Sequence, residues 1–223
     1  YVYYENGKYG GIDNEGNNII EPSYDEMISI PNSSKPIFIC VYDINEAEGT
    51  YKTKAINDKN EEILTGYDKI EALDNYDSKQ NVWYEDNVLK VSKSGKYGLI
   101  DFEGKEILPC EYDEITALNG VKSNILVKKA GNIGLVNEKG QTIVPVQYKN
   151  VLTLKEGYKN EYIIVNENDQ YGLINTSGVV VIEPKYEMVK YLNSSSMFAI
   201  KEAGVWKVID TGNSNIIVDG GYD

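Results

Sequence analysis

The chain has 223 residues and a formal charge of −13, set by 35 Asp and Glu against 22 basic residues, every one of them Lys. Without His or Arg, imidazole-based nucleophilic catalysis, His-built zinc sites and bidentate guanidinium grips on phosphate are excluded, and the net negative charge disfavours nucleic acid and anionic lipid as partners. Hydrophobic residues make up 41 %, enough for a packed core, and no apolar run reaches the roughly 20 residues of a membrane span.

In chain order the first elements are short. Tyr1 to Tyr4 reads as a strand, A, with aromatic and β-branched content. Asn6-Gly7 reads as a two-residue reversal, since both types tolerate positive φ. A second strand, B, runs through Tyr9-Gly10-Gly11-Ile12 and stops at Asp13-Asn14-Glu15-Gly16. There an Asx side chain can accept backbone N–H groups and the closing Gly supplies a left-handed residue. Strand C is the apolar pair Ile19-Ile20 with Pro22, a residue that belongs at a sheet edge or strand end. Tyr24-Asp25 follows, with Met27 and Ile30 three and six residues beyond the Tyr. Their spacing suits a short outer strand or turn, D.

The same series then returns. Gly95-Lys96-Tyr97-Gly98-Leu99-Ile100-Asp101, Gly131-Asn132-Ile133-Gly134-Leu135-Val136-Asn137 and Asp169-Gln170-Tyr171-Gly172-Leu173-Ile174-Asn175 are copies of the strand-B frame, with weaker ones at 51–60 and 204–212. Asn168-Asp169 and Ala203-Gly204 take the place of the first reversal. The central aliphatics Ile12, Ile56, Ile100, Val136, Ile174 and Ile209 are 44, 44, 36, 38 and 35 residues apart. The Tyr of the strand-C landmark recurs as Tyr67, Tyr112, Tyr148, Tyr186 and Tyr222, four of them followed by an acid. A three-stranded unit cannot bury both faces alone, so the copies must pack on one another. The Gly after the strand-B Tyr is expected to let a neighbouring aromatic lie against bare backbone.

On Gly95 to Asp101, the turn Asp101 to Gly104, and Ile107-Leu108-Pro109 with Tyr112-Asp113, the chain resembles the bacterial WG-repeat (Trp-Gly, or KWG) family. Tyr9, Tyr97 and Tyr171 stand where that family has Trp, Thr53 and Ile133 fill the place in two other units, and Trp206 keeps it but precedes Lys207. The resemblance implies β-rich repeats in surface, secreted or lipoprotein-like settings, with no established catalytic residues. The expected fold is all-β: six tandem antiparallel meanders, approximately 1–30, 31–73, 74–118, 119–154, 155–192 and 193–223, in one domain. A six-bladed β-propeller-like ring is the favoured arrangement, with an open β-solenoid as the alternative. Unit six is expected to lack its fourth element.

Outside this frame, Asp74 to Asn87 reads as a long connection carrying Tyr76, Trp83 and Tyr84. These three are the candidate binding residues, because loops on a rigid scaffold carry recognition. The competing and stronger reading is an apolar anchor tucking that loop onto the core. Acids such as Asp13, Glu15, Asp101 and Glu103 make no calcium loop, and the serines at 33–34 and 194–196 read as solvated loop. Cys40 and Cys110 read as small hydrophobes rather than a disulfide framework. Neither cofactor nor metal is expected. The chain opens on Tyr1, as an excerpted or mature segment does, and an extracytoplasmic location is expected. The functional expectation is a non-enzymatic scaffold recognising protein or glycan, without nucleic-acid binding or membrane insertion; the alternative is a carboxylate-dependent glycan-active enzyme.

Overall fold

The computed structural model of the chain describes residues 1–223 apart from 78, 154–160, 167, 176, 195, 213–214 and 220–223. The described residues are all-β, with no helix among them, and their strands form six antiparallel sheets. The chain divides into two compact units, Tyr1–Asn75 with Val82–Ile115, and Tyr76–Asn81 with Thr116–Asp223. Leu154, six residues beyond Tyr148 as Ile30 is beyond Tyr24, and the Tyr222-Asp223 landmark lie outside the described residues.

The first sheet has three strands, β1 (Val2–Glu5), β2 (Lys8–Ile12) and β3 (Asn18–Tyr24). The second is β4 (Glu26–Ser29), β5 (Phe38–Asn45), β6 (Thr50–Ile56) and β7 (Glu62–Ile63), and the third is β8 (Lys69–Tyr76), β9 (Val82–Lys93), β10 (Lys96–Ile100) and β11 (Glu106–Tyr112). Next come β12 (Glu114–Ala117), β13 (Asn124–Lys129), β14 (Asn132–Asn137) and β15 (Thr142–Tyr148), then β16 (Asn150–Thr153), β17 (Glu161–Val165), β18 (Tyr171–Asn175) and β19 (Val180–Tyr186). The last sheet is β20 (Met188–Ser194), β21 (Met197–Glu202), β22 (Val205–Asp210) and β23 (Asn215–Asp219). Each is a meander.

Sequence repeat and hydrogen-bonded sheet are out of phase by one strand. Element D is a strand, but it pairs with strand A of the following repeat: Met27 lies opposite Cys40 and Val151 opposite Ile164. The sheet short of a strand is therefore the first, and the sixth is complete. Among the described residues, the one after each landmark Tyr sits where the chain leaves one sheet for the next. Asp25 donates its N–H to the Val41 carbonyl of the second sheet at 2.8 Å, while its carboxylate takes Lys8 of the first at 2.6 Å. Asp113 pairs with Lys96 in the same way. Asp68 and Glu187 instead accept the hairpin N–H groups of Ser94 and Gly204, at 2.6 and 3.0 Å.

The Asx turns follow the sequence reading. Asp13 Oδ1 accepts the N–H groups of Glu15 and Asn17, Asp101 those of Glu103 and Lys105, and Asn175 those of Ser177 and Val179, all at 2.7–3.0 Å. The Asn17 side-chain amide and these backbone donors hold the Asp13 carboxyl below its ordinary range. Asn168-Asp169 departs from the expected two-residue reversal. Val165 pairs with Tyr171, and between them Asn166 accepts the N–H groups of Asn168 and Gln170 in the manner of the other Asx turns.

The strand-B glycines make room chiefly for the backbone of the adjacent strand. Tyr97 lies opposite Tyr112 and Leu99 opposite Leu108, so two residues of β10 span four steps of β11. The slack forms a bulge at Pro109 and Cys110, where a missing ladder donor is tolerated. A Cβ on Gly98 would stand 2.6 Å from the Leu108 oxygen and 2.9 Å from the Cys110 nitrogen. Gly134 and Gly172 meet the equivalent bulge backbone of Val144–Val146 and Ile182–Pro184. Gly10 meets both: its Cβ would stand 2.5 Å from the Ile20 oxygen and 2.9 Å from the Tyr3 ring, so the expected aromatic neighbour is present there, whereas at the other three the close neighbours belong to the adjacent strand.

Cores form between consecutive sheets within each unit. In the first, Ile20, Tyr24, Met27, Phe38, Cys40 and Ile56 join sheets one and two, and Ile39, Ala55, Ile70, Leu89, Val91 and Ile100 join sheets two and three. In the second, Ile174 packs with Leu135, Val144 and Val151, whereas adjacent Leu173 packs with Ile182, Val189 and Phe198. Successive residues of strand B thus serve opposite cores, which is why its alternation is apolar on both faces. Leu192, one of the aliphatics following a landmark Tyr, is exposed instead.

Candidate functional site

The two widest repeat spacings fall in the first unit, and structure accounts for the extra residues. The stretch read as a connection from Asp74 to Asn87 is mostly strand. β8 continues to Tyr76, β9 begins at Val82, and Asp77 closes the reversal by accepting from Lys79 and Asn81. The preceding hairpin, β5 to β6, is lengthened likewise, with Asp43 taking Lys52 at 2.8 Å.

These two enlarged hairpins flank a cavity of about 350 Å³. Ile28, Ile39, Val41, Ile44, Ala72 and Val82 supply its apolar lining, and Glu26, Tyr51, Thr53, Glu71, Asp74, Tyr84 and Lys90 its polar groups. Glu71 is the best held of the three acids. It accepts the Tyr51 hydroxyl at 2.6 Å on one oxygen and pairs with Lys90 Nζ at 2.9 Å on the other. Burial works to raise its carboxyl, but Tyr51 and Lys90 outweigh that and hold it below the ordinary range. The same hydrogen bond, aided by burial, pushes the Tyr51 phenol up to about 12. Lys69 Nζ rests 3.5 Å from the Tyr51 ring centroid. Thr53, at the place of the family's aromatic, is buried and accepts the Ile70 N–H at 2.7 Å.

Glu26 and Asp74 are different. Both are exposed, and neither carboxylate accepts a hydrogen bond or forms an ion pair with any described residue. They lie near Tyr84, whose phenol is raised by burial first and then by these two charges.

The three sequence candidates separate. Tyr84 lines the cavity. Trp83 points its indole N–H at Glu85 Oε1, 3.3 Å away, an oxygen that also takes the Asn75 amide at 2.7 Å; Asn75 and Glu85 are buried. Tyr76 belongs to the second unit, is exposed, and accepts the Asn119 amide at 2.9 Å. Sequence reasoning did not single out Glu26, Tyr51, Glu71, Asp74 or Lys90; the 44-residue spacings were the available signal. Cys40 and Cys110 are free thiols, and burial pushes Cys40 up to about 12. Ser33 and Ser34 donate to the Ile30 carbonyl and Glu103, while Ser195 lies outside the described residues.

The family described as WG containing repeat matches residues 9–33, 97–132, 133–171 and 171–206. The chain is a WG-repeat protein. Within this WG-repeat chain, all the cavity-lining residues except Glu26 and Ile28 fall in the unmatched stretch between residues 33 and 97. No curated protein matches its sequence. Among solved structures it is similar to apo AztD from Citrobacter koseri, at 10 % identity over 99 % of this chain and 72 % of that one, with a TM-score of 0.35. It is also similar to a eukaryotic initiation factor, at 12 % identity over 99 % and 73 % with a TM-score of 0.40. A third similarity is to the Dos1 propeller, at 10 % identity over 96 % and 64 % with a TM-score of 0.32.

Proposed function

We propose that this WG-repeat chain is a non-enzymatic interaction scaffold that recognises a protein or glycan at the cavity between its two enlarged hairpins. The observation carrying this reading is that departures from repeat regularity converge on one concave, partly apolar site. A packed repeat frame holds the site rigid while the added residues shape it. Its mix of apolar lining and a few polar groups is the usual make-up of a recognition pocket. Placing the scaffold at the bacterial surface or exterior draws on the settings implied by the family resemblance.

A carboxylate mechanism finds less support. The one acid of the cavity that is not exposed, Glu71, is held below the ordinary range, whereas a general acid needs a raised carboxyl. The test is a glycan array and a peptide library screened in parallel with wild type, Tyr84→Ala and Val82→Asp. Val179→Asp serves as an exposed control in the second unit. Hits that both cavity variants lose and the control keeps are the expected result. Hits indifferent to all three changes, or an absence of hits, would overturn the assignment.

A further inference from the structure

We infer that the cavity takes the side chain of a lysine or arginine presented by a polypeptide partner, an inference that rests on the cavity being the binding site.

Charge is the first argument. The lining holds three carboxylates, Glu26, Glu71 and Asp74, and one ammonium, Lys90. Lys90 is committed to Glu71 at 2.9 Å, so Glu26 and Asp74 remain without a cationic partner among the described residues. An incoming ammonium or guanidinium would meet two carboxylates and the Tyr84 ring, and both kinds of group attract a cation. The chain already uses this chemistry on itself, with Lys69 over Tyr51 and Lys190 over Trp206, the latter at 4.9 Å.

Shape and hydrogen-bonding capacity are the second argument. Long cationic side chains lay an aliphatic stem along apolar surface and keep the charged end in polar surroundings. Ile28, Ile39, Val41 and Ala72 offer the stem a lining, with the free acids available to the head. Of the three neutral hydroxyls in the lining that could grip a sugar, Tyr51 already donates to Glu71 and Thr53 already accepts the Ile70 N–H, which leaves Tyr84. About 350 Å³ lies near the lower bound for ligand pockets, suited to one long side chain rather than an oligosaccharide. A net charge of −13 further draws basic partners at low salt.

The test uses the whole chain with its isoleucine δ-methyls labelled, so that Ile28, Ile39 and Ile44 report by NMR on the cavity itself. Four capped tripeptides, acetyl-Gly-X-Gly-amide with X lysine, arginine, norleucine or glutamate, are titrated. The lysine and arginine peptides should shift these methyls and the other two should not. Binding should weaken about five- to tenfold in Glu26→Gln/Asp74→Asn, and by a similar factor when salt rises from about 0.05 to 0.5 M. Both substituted residues are exposed, and the methyl spectrum reports the fold of the variant directly. Equal binding of norleucine, or indifference to both carboxylates and salt, overturns the cation assignment while leaving the cavity as a binding site. Binding of a glycan there, with no response to any tripeptide, does the same. Silence of the methyls toward every peptide and glycan overturns the cavity reading along with the inference.

Discussion

Gly98 sits at the β10–β11 bulge, one residue before the partner of Leu108, so close to that leucine's carbonyl that a Cβ on the glycine would stand 2.6 Å from the oxygen. The obstructing atom is backbone, pinned by its own bulge, and cannot swing away as a side-chain tip could. Gly98→Val should therefore cost about 3 kcal/mol. Trp83→Ala, which removes a half-buried indole from the added hairpin, should cost less. Urea denaturation of both variants checks the order, and equal losses would contradict this division into frame and addition.

Asp101 offers one carboxylate oxygen to two backbone N–H groups, those of Glu103 and Lys105. Asn175 and Asn137 do the same in other repeats with an amide oxygen. Asp101→Asn should thus be nearly neutral, while Asp101→Ala should lose about 1 kcal/mol. The comparison of the two denaturation midpoints is the measurement.

Thr53 gives its hydroxyl oxygen to the N–H of Ile70 in a buried setting. Thr53→Val keeps the shape and strands that donor, at a cost of about 1–3 kcal/mol. Thr53→Ser, which keeps the oxygen, should fall well short of that. Hydrogen exchange at the Ile70 amide should quicken in the valine variant and stay near wild type in the serine variant.

Tyr51 and Glu71 make a pH-dependent pair. With the folded phenol raised to about 12 from an ordinary value near 10, the stabilisation it brings is complete below pH of about 10 and is lost as pH rises through about 12. The stability gap between wild type and Tyr51→Phe should narrow across that window. Glu71, held low, works in the other direction: its share is present above its unfolded value and fades as pH falls through the folded one. In Glu71→Gln, the Tyr51 phenolate should appear nearer pH 10 in a difference absorbance titration against the same variant carrying Tyr51→Phe.

What the sequence revealed was mostly local. The Asx turns were legible because Asp13 and Asn175 bond within four residues of themselves, so residue type and spacing suffice. The glycine positions were legible as special, but the atoms confronting Gly98 lie across a ladder whose register depends on a bulge. Asp74 to Asn87 reads as loop by its polar composition, yet Asp77 and Asn81 repeat the spacing of Asp13 and Asn17, with Asn81 likewise donating its amide to the turn acid. Gln80, at a φ of 65°, fills the left-handed place that Gly16 holds in the first turn. That signal would have turned the connection into a hairpin. Tyr84 was reachable from sequence, whereas its companions Glu26 and Glu71 were not. They reach the same cavity because element D crosses into the following sheet, a long-range pairing that no local pattern encodes.

That crossing makes the array resemble links of a chain more than beads on a string. Peeling one repeat away would strip the leading strand from the next sheet and open the ladders that set Met27 opposite Cys40 and Val151 opposite Ile164. Tension applied along the polypeptide is therefore shared between neighbours at each described crossing, and a repeat gained or lost whole by duplication or deletion leaves every internal sheet with four strands.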